Sequence, residues 1–273
     1  MTMKMKQNMG TIIRIIIGLL FTAPIWVAVI YSFHPNTDFL STHLSLWTDN
    51  PTFDNYKYVF EEIPIWTYLK NSFIMILICV PCQLILECMA AYAFAFLKFP
   101  FKNTIFTIFL ATMMIPGEVT IVSNYITVQN LGLMNTYLGM SITSLVGVGG
   151  VFMLRQSMLS MPKELWESAR MDGCGKIRYF ISFMIPLNKS IMTAMALQAF
   201  VGVYNAYLWP LLITTKSEYH TIQIAMSKLT GTVSMLYGTM LSAAVMCMLI
   251  PAIIFLFGQD KIVQGMTAGA VKS

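Results

Sequence analysis

The chain has 273 residues, 57% of them hydrophobic and only 11% charged, with a formal charge of +5. Soluble domains carry about 25% charged residues, so an ordinary water-facing surface is excluded. The basic residues are scattered over short segments and form no run. That excludes nucleic acid as a partner and leaves the lipid bilayer.

Apolar blocks near 20 residues long can cross ~30 Å of hydrocarbon as helices; membrane-barrel strands would be shorter and would alternate. Six such spans are predicted: 11–33, 67–96, 103–126, 137–158, 189–213 and 237–257. The first follows Lys4, Lys6 and Arg14. Its apolar run exceeds a typical signal core and no small-x-small cleavage site follows, so it reads as a retained anchor. The interval 34–64 carries Asp38, Asp49, Asp54, Glu61 and Glu62, with Trp47 inside it and Trp66 just beyond; such aromatics suit the interfacial belt. A break is expected in the third span near Pro116-Gly117, and Gly139, Gly147, Gly149 and Gly150 suit close helix packing in the fourth. No repeat is visible, and 1–273 reads as a single permease-like domain with a membrane core over 11–258. The five cysteines are expected as free thiols. No metal-ligand spacing and no nucleophile beside a base occurs, so no catalytic residue and no metal site are expected.

Basic residues set orientation. With the N-terminus in the cytoplasm, 13 of the 17 Lys and Arg fall on the inner side, and only Lys57, Lys70, Lys216 and Lys228 fall outside. Both termini, the charged loop 159–188 and the tail 259–273 are therefore expected in the cytoplasm.

That loop is the most polar stretch of an otherwise oily chain: Glu164-Leu-Trp-Glu-Ser-Ala-Arg-Met-Asp-Gly173. Pro162 suits a first helical turn, and Ser160 stands before it as a possible cap. Good helix formers follow, with Leu165 and Ala169 on one face. Gly173 permits a sharp turn. Ile177, Phe180, Ile181 and Met184 then repeat at helical spacing, and Pro186-Leu187 marks the return to the membrane. The loop reads as a knob built to be gripped.

The knob resembles the EAA loop of ABC importer permeases. Glu167-Ser168-Ala169 stands at the Glu-Ala-Ala, Asp172-Gly173 at the Asp-Gly and Pro186-Leu187 at its close; Ser168 departs from the usual Ala. Asn205-Ala-Tyr-Leu-Trp-Pro-Leu-Leu212, the stretch Val122-Ser-Asn-Tyr125 through Leu131-Gly-Leu-Met-Asn-Thr136, and Gly265-Met-Thr-Ala-Gly-Ala-Val-Lys272 resemble further segments of the carbohydrate-uptake branch, which also holds glycerol-3-phosphate permeases. The resemblance covers nearly the whole chain. It implies an all-α, six-span permease subunit of the bacterial cytoplasmic membrane, of the type I ABC importer kind, that imports a sugar, oligosaccharide or glycerol-phosphate-type solute. Its implied partners are a second permease, an ABC ATPase dimer and an extracytoplasmic solute-binding protein. ATP and Mg would bind the ATPase, and no cofactor this chain. Glu167, Ser168, Ala169, Asp172 and Gly173 would form the coupling helix: Glu167 to pair with a basic group on the ATPase, Ala169 small to let surfaces approach, Asp172 and Gly173 to set the turn. The tail with Gly265, Gly269 and Lys272 either inserts between the ATPases or frays; it is no phosphate loop, because Gly and Lys are not adjacent.

Glu87 is the only carboxylate deep in an apolar span, where an ionisable group faces a bundle interior or a cavity. It either lines the pathway or is structural. Gln198 and Asn205 are seven residues apart, about two turns. With Tyr204 they would share a face, for substrate or for packing. A stand-alone secondary transporter, the competing reading, needs inverted repeats and midplane ion sites; neither is visible beyond Glu87.

Overall fold

Hydrocarbon offers a peptide group no hydrogen bond, so a chain this apolar has to satisfy its backbone within helices. The computed structural model describes residues 3–40, 45–232 and 236–268, and among them contains helices and no strand. α1 (Met3–Ser32) carries the apolar stretch Gly10–Ser32, whose most apolar window is fully exposed within this chain. α2 (Asp54–Glu62) precedes α3 (Ile65–Phe96), which runs unbroken through Pro81. α4 (Lys102–Ala111) and α5 (Gly117–Asn130) meet at a 101° bend. α6 (Tyr137–Ser141) and α7 (Val148–Leu159) meet at 49°. α8 (Lys163–Met171) and α9 (Lys176–Tyr179) form the charged knob. A π-wound stretch, Phe180–Met184, and α10 (Ile185–Leu187) lead at a 75° bend into α11 (Lys189–Tyr204). α12 (Leu208–Ile213), α13 (Ile222–Thr232) and α14 (Tyr237–Ala268) complete the described chain. Three single helices and three bent pairs are long and apolar enough for up to six spans.

The expected break at Pro116-Gly117 is present, but the predicted fifth span, 189–213, is not continuous. α11 stops at Tyr204 and the helix restarts at Leu208. Pro210 explains the interruption. In an unbroken helix its ring would clash with the carbonyl four residues back, at Ala206, and it has no N–H to donate. The helix therefore ends before that carbonyl and restarts with proline in its first turn.

The described chain clusters into two compact units, Met1–Trp66 with Ala225–Ile253 and Thr67–Ile224 with Ile254–Ser273. Within the first, the hub is Asn55, which is 2% exposed. Its Nδ2 donates to Ser32 O at 2.9 Å and His34 O at 2.8 Å. Its Oδ1 accepts from Asn36 Nδ2 at 3.0 Å and from Thr239 Oγ1 at 3.3 Å. One buried amide thus ties the end of α1 to α2 and to the start of α14.

Asn71 plays the same part in the second unit, donating to Glu218 O at 2.7 Å and His220 O at 2.9 Å and accepting from Tyr137 Oη at 2.7 Å. Below it the core packs α3, α4, α7 and the knob through Tyr92, Phe106, Leu154, Met158 and Tyr179. Arg155 fastens α7 to this core, with its guanidinium 4.1 Å above the Phe106 ring and its Nε donating to Phe94 O at 3.2 Å. All five cysteines are free.

Asn55→Leu takes the Asn55 donor from two buried carbonyls, of which Ser32 O keeps Ser242 Oγ at 3.1 Å; the loss at His34 O alone is worth about 1–3 kcal/mol. We expect the thermal unfolding midpoint of the detergent-purified protein to fall by several degrees. An unchanged midpoint would contradict the role of Asn55 as hub.

Candidate functional site

Two places in the second unit concentrate polar chemistry: the knob and a cavity beside Glu87. In the knob, α8 begins at Lys163 after Pro162, with no side-chain cap. Ser160 does not cap α8. It closes the C-terminus of α7, its Oγ donating to Ser157 O at 2.8 Å; Pro162 lies between it and α8, extended at φ −56° and ψ 134°. Glu164 in the first turn and Arg170 in the last complement the helix dipole. At the C-terminus Gly173 N–H donates to Arg170 O at 3.0 Å and Cys174 N–H to Ala169 O at 2.9 Å. This pair of bonds is a Schellman motif. It places Gly173 at φ +74°, a left-handed conformation that side chains with a Cβ disfavour.

The inner face of the knob is locked to α3 by aromatic contacts. Tyr179 is 1% exposed. Its ring lies 4.7 Å from Trp166 of α8, edge-on, and 5.8 Å from Phe96 of α3. Tyr92 of α3 packs on Phe180 at 4.9 Å, and its hydroxyl donates to Lys176 O at 2.8 Å. The outer face is open. Met171 is 88% exposed and Ile177 76%. Glu164, Glu167, Arg170, Asp172, Lys176 and Arg178 are also exposed, with no ion pair among the described residues. Exposed apolar side chains ringed by unpaired charge are the mark of an interaction surface.

The cavity holds about 400 Å³ and is bordered by α3, α7, α11 and the segment between α6 and α7. Glu87 is 2% exposed. Its Oε1 accepts from Gln83 Nε2 at 2.9 Å and from Gly147 N–H at 2.8 Å. Gly147 is the cap of α7, so the carboxylate binds the amide that the break in the fourth span leaves free. A Cβ on Gly150 would overlap this carboxylate, so glycine there is a condition of its placement.

Of the residues that sequence points to as a pathway, Glu87 and Gln198 line this cavity, and Tyr204 and Asn205 do not. Tyr204 is buried and stacks on Phe200 at 5.8 Å. Asn205 caps the broken end of α11 and accepts from Gln223 Nε2 at 3.3 Å. Both still belong to the helix that carries Gln198, which is continuous through Tyr204 with Asn205 as its cap; the cavity lining on this helix ends at Val203, one residue short of them. In the knob, Glu167 and Ser168 are exposed, with Ser168 Oγ donating to Glu164 O at 2.7 Å. Ala169, at 5% exposure, packs inside this chain's own core, and its small size serves that packing. Gly265 lies within α14, while Gly269 and Lys272 fall outside the described residues. Sequence reasoning passed over Tyr92 and Tyr179. Tyr179 lies beside the helical repeat of Ile177, Phe180, Ile181 and Met184, and Tyr92 lies in α3 with no local signal.

Comparison with known proteins places these features in a family. Residues 71–267 match the family described as binding-protein-dependent transport system inner membrane component. The arabinooligosaccharides transport system permease protein AraQ of Halalkalibacterium halodurans is 31% identical over 98% of this chain and its own full length. The AraQ protein of Bacillus subtilis is 32% identical over 96% of this chain and 94% of its own. The sn-glycerol-3-phosphate transport system permease protein UgpE of Yersinia pestis is 27% identical over 93% and 94%. In fold, the chain resembles a bacterial ABC transporter involved in the import of the acidic polysaccharide alginate, with a TM-score of 0.79 at 20% identity over 94% of this chain and 96% of that one. A second structure, a bacterial alginate ABC transporter in complex with its oligosaccharide-bound periplasmic protein, aligns with a TM-score of 0.64 over 92% of both chains. The chain therefore belongs to the inner-membrane components of binding-protein-dependent transport systems and is a multi-pass permease subunit of an ABC importer, not an enzyme.

Proposed function

We propose that this permease carries a sugar, an oligosaccharide or a glycerol-phosphate-type solute inward, as its AraQ and UgpE relatives are named for doing. The α8–α9 knob is its coupling element, on the cytoplasmic side with both termini. It sits in a groove of a cytoplasmic ATPase that binds ATP and Mg. Glu167 meets a basic group there, and Asp172 and Gly173 hold the turn. The tail with Gly265, Gly269 and Lys272 reaches the same ATPase. A second permease completes the pathway, to which Glu87 and Gln198 contribute, and an extracytoplasmic binding protein delivers the solute.

The observation that carries this reading is the two-sided knob. Its outer face exposes Met171, Ile177 and unpaired charges, and its inner face is welded to α3 through Tyr179. A body open to a partner on one side and rigidly packed on the other transmits displacement into the membrane helices, because close-packed contacts deform little. Closure of two ATPases around ATP would draw the knobs of the two permeases together and turn the cavity from inward to outward facing.

Three outcomes test it. Gly173→Val forces a β-branched residue into left-handed backbone at a cost of about 1–3 kcal/mol, and Glu167→Lys reverses the charge at the contact. Each is expected to reduce solute-stimulated ATP hydrolysis in proteoliposomes more than tenfold while membrane insertion, followed by immunoblot of the membrane fraction, stays normal. Met171→Asp, on the exposed face, should leave the unfolding free energy within about 0.5 kcal/mol of wild type and yet weaken co-purification of the nucleotide-binding subunit. Tyr179→Ala should do the reverse to stability, removing a fully buried ring at about 3–5 kcal/mol, read as a lowered unfolding midpoint. Normal uptake by Gly173→Val and Glu167→Lys together would refute the coupling role.

A further inference from the structure

The cavity beside Glu87 carries more than a place on the pathway. Glu87 Oε1 is engaged twice, by Gln83 and by Gly147. Oε2 receives no hydrogen bond from the described residues, although the side chain is 2% exposed. The residue is thus anchored by one oxygen and presents the other as an acceptor at the cavity edge. Gln198, from α11, borders the same space, and its amide both donates and accepts. Apolar surface from Met153, Met195 and Val203 fills the intervals. Among the described lining residues there is no Lys, Arg or His and no aromatic ring.

The geometry points to a solute subsite for an uncharged, hydroxyl-rich molecule, in which Glu87 Oε2 accepts from a solute hydroxyl and Gln198 completes the contact, and which selects against anionic solutes. This rests on the importer reading above and narrows its cargo class. A hydroxyl suits an acceptor and an amide at once, since it donates one hydrogen bond and accepts others. The methionine and valine surface suits the C–H faces of the same molecule. A phosphate or carboxylate would meet Glu87 across a space whose described lining offers no cation, and an uncompensated charge removed from water is strongly disfavoured. The volume, about 400 Å³, lies within the range of small-molecule sites, about 300–1,000 Å³. Selectivity would then come from a repulsive element in the wall as well as from the attractive contacts.

Equilibrium binding to the detergent-purified, assembled transporter tests this without the binding protein, which would otherwise impose its own selectivity. The probes are a radiolabelled neutral disaccharide, its uronic-acid and amino-sugar counterparts, and sn-glycerol 3-phosphate. The expected result is that the neutral sugar binds at least about tenfold more tightly than either anion, the step worth one hydrogen bond or one unfavourable charge contact. Glu87→Gln keeps an oxygen for the Gly147 N–H and replaces the carboxylate by an amide; it should narrow the gap between neutral sugar and uronic acid to about threefold or less. Gln198→Leu should weaken the neutral sugar about tenfold and leave the exclusion of anions in place, which a merely structural role would not do. Equal or tighter binding of an anion overturns the inference and leaves the importer reading standing. So does tighter binding of the amino sugar, or a selectivity ratio unmoved by Glu87→Gln. If no probe binds and none is taken up with the binding protein present, the cargo reading beneath the inference fails as well.

Discussion

Burial of Tyr179 holds the charged knob to the second unit of the protein. Its ring sits between Trp166 of the knob and Phe96 of α3, and at 1% exposure it heads the fully buried side chains by volume. Around it Tyr92 adds a ring contact and a hydrogen bond to the same segment. A knob built from nine residues of α8 and four of α9 is too short to be stable alone. Its shape and its angle to the membrane helices are therefore tertiary properties. The Schellman turn at Gly173 decides where the chain reverses; the tyrosine decides what the reversed segment rests on.

The second organising constraint is that each break in an apolar helix exposes peptide groups which hydrocarbon cannot satisfy. Some of these breaks are bridged by a side chain from elsewhere. At the break between α6 and α7 the Gly147 N–H goes to Glu87 of α3. Beyond α5, Asn135 Oδ1 accepts from the backbone of Thr215 at 2.8 Å and Lys216 at 3.0 Å, past the end of α12. At the end of α11, Asn205 accepts from Gln223. Polar residues in oily segments are in this sense the seams of broken helices. Glu87 is a seam with an oxygen to spare, which is why a structural residue also faces a cavity.

Much of this was legible beforehand because it depends on local chemistry. Apolar block length depends on the thickness of hydrocarbon, and the helix stop at Gly173 on a single missing Cβ. What sequence misjudged lay at longer range or in competition between rules. Gln198, Tyr204 and Asn205 do share one helix, but the cavity along it ends at Val203, so only Gln198 lines it. Ser160 carries the chemistry of a cap, yet the helix it serves is the preceding one. Asn55 and Asn71 gave no signal in the sequence, because their partners lie up to 184 and 149 residues away.

The sequence by itself determined that this chain lives in a membrane as helices, how many apolar blocks it holds, and that a charged elbow interrupts them. Those properties follow from transfer free energies and backbone stereochemistry, which act on a few neighbouring residues at a time. Only the tertiary structure decided that the elbow's inner face is aromatic and locked to α3, that Gln198 rather than Asn205 lines the cavity beside Glu87, and that the carboxylate keeps one oxygen free. Those depend on which distant surfaces meet, and close packing of side chains on rigid helices is a property of the pair, not of either strand of sequence alone.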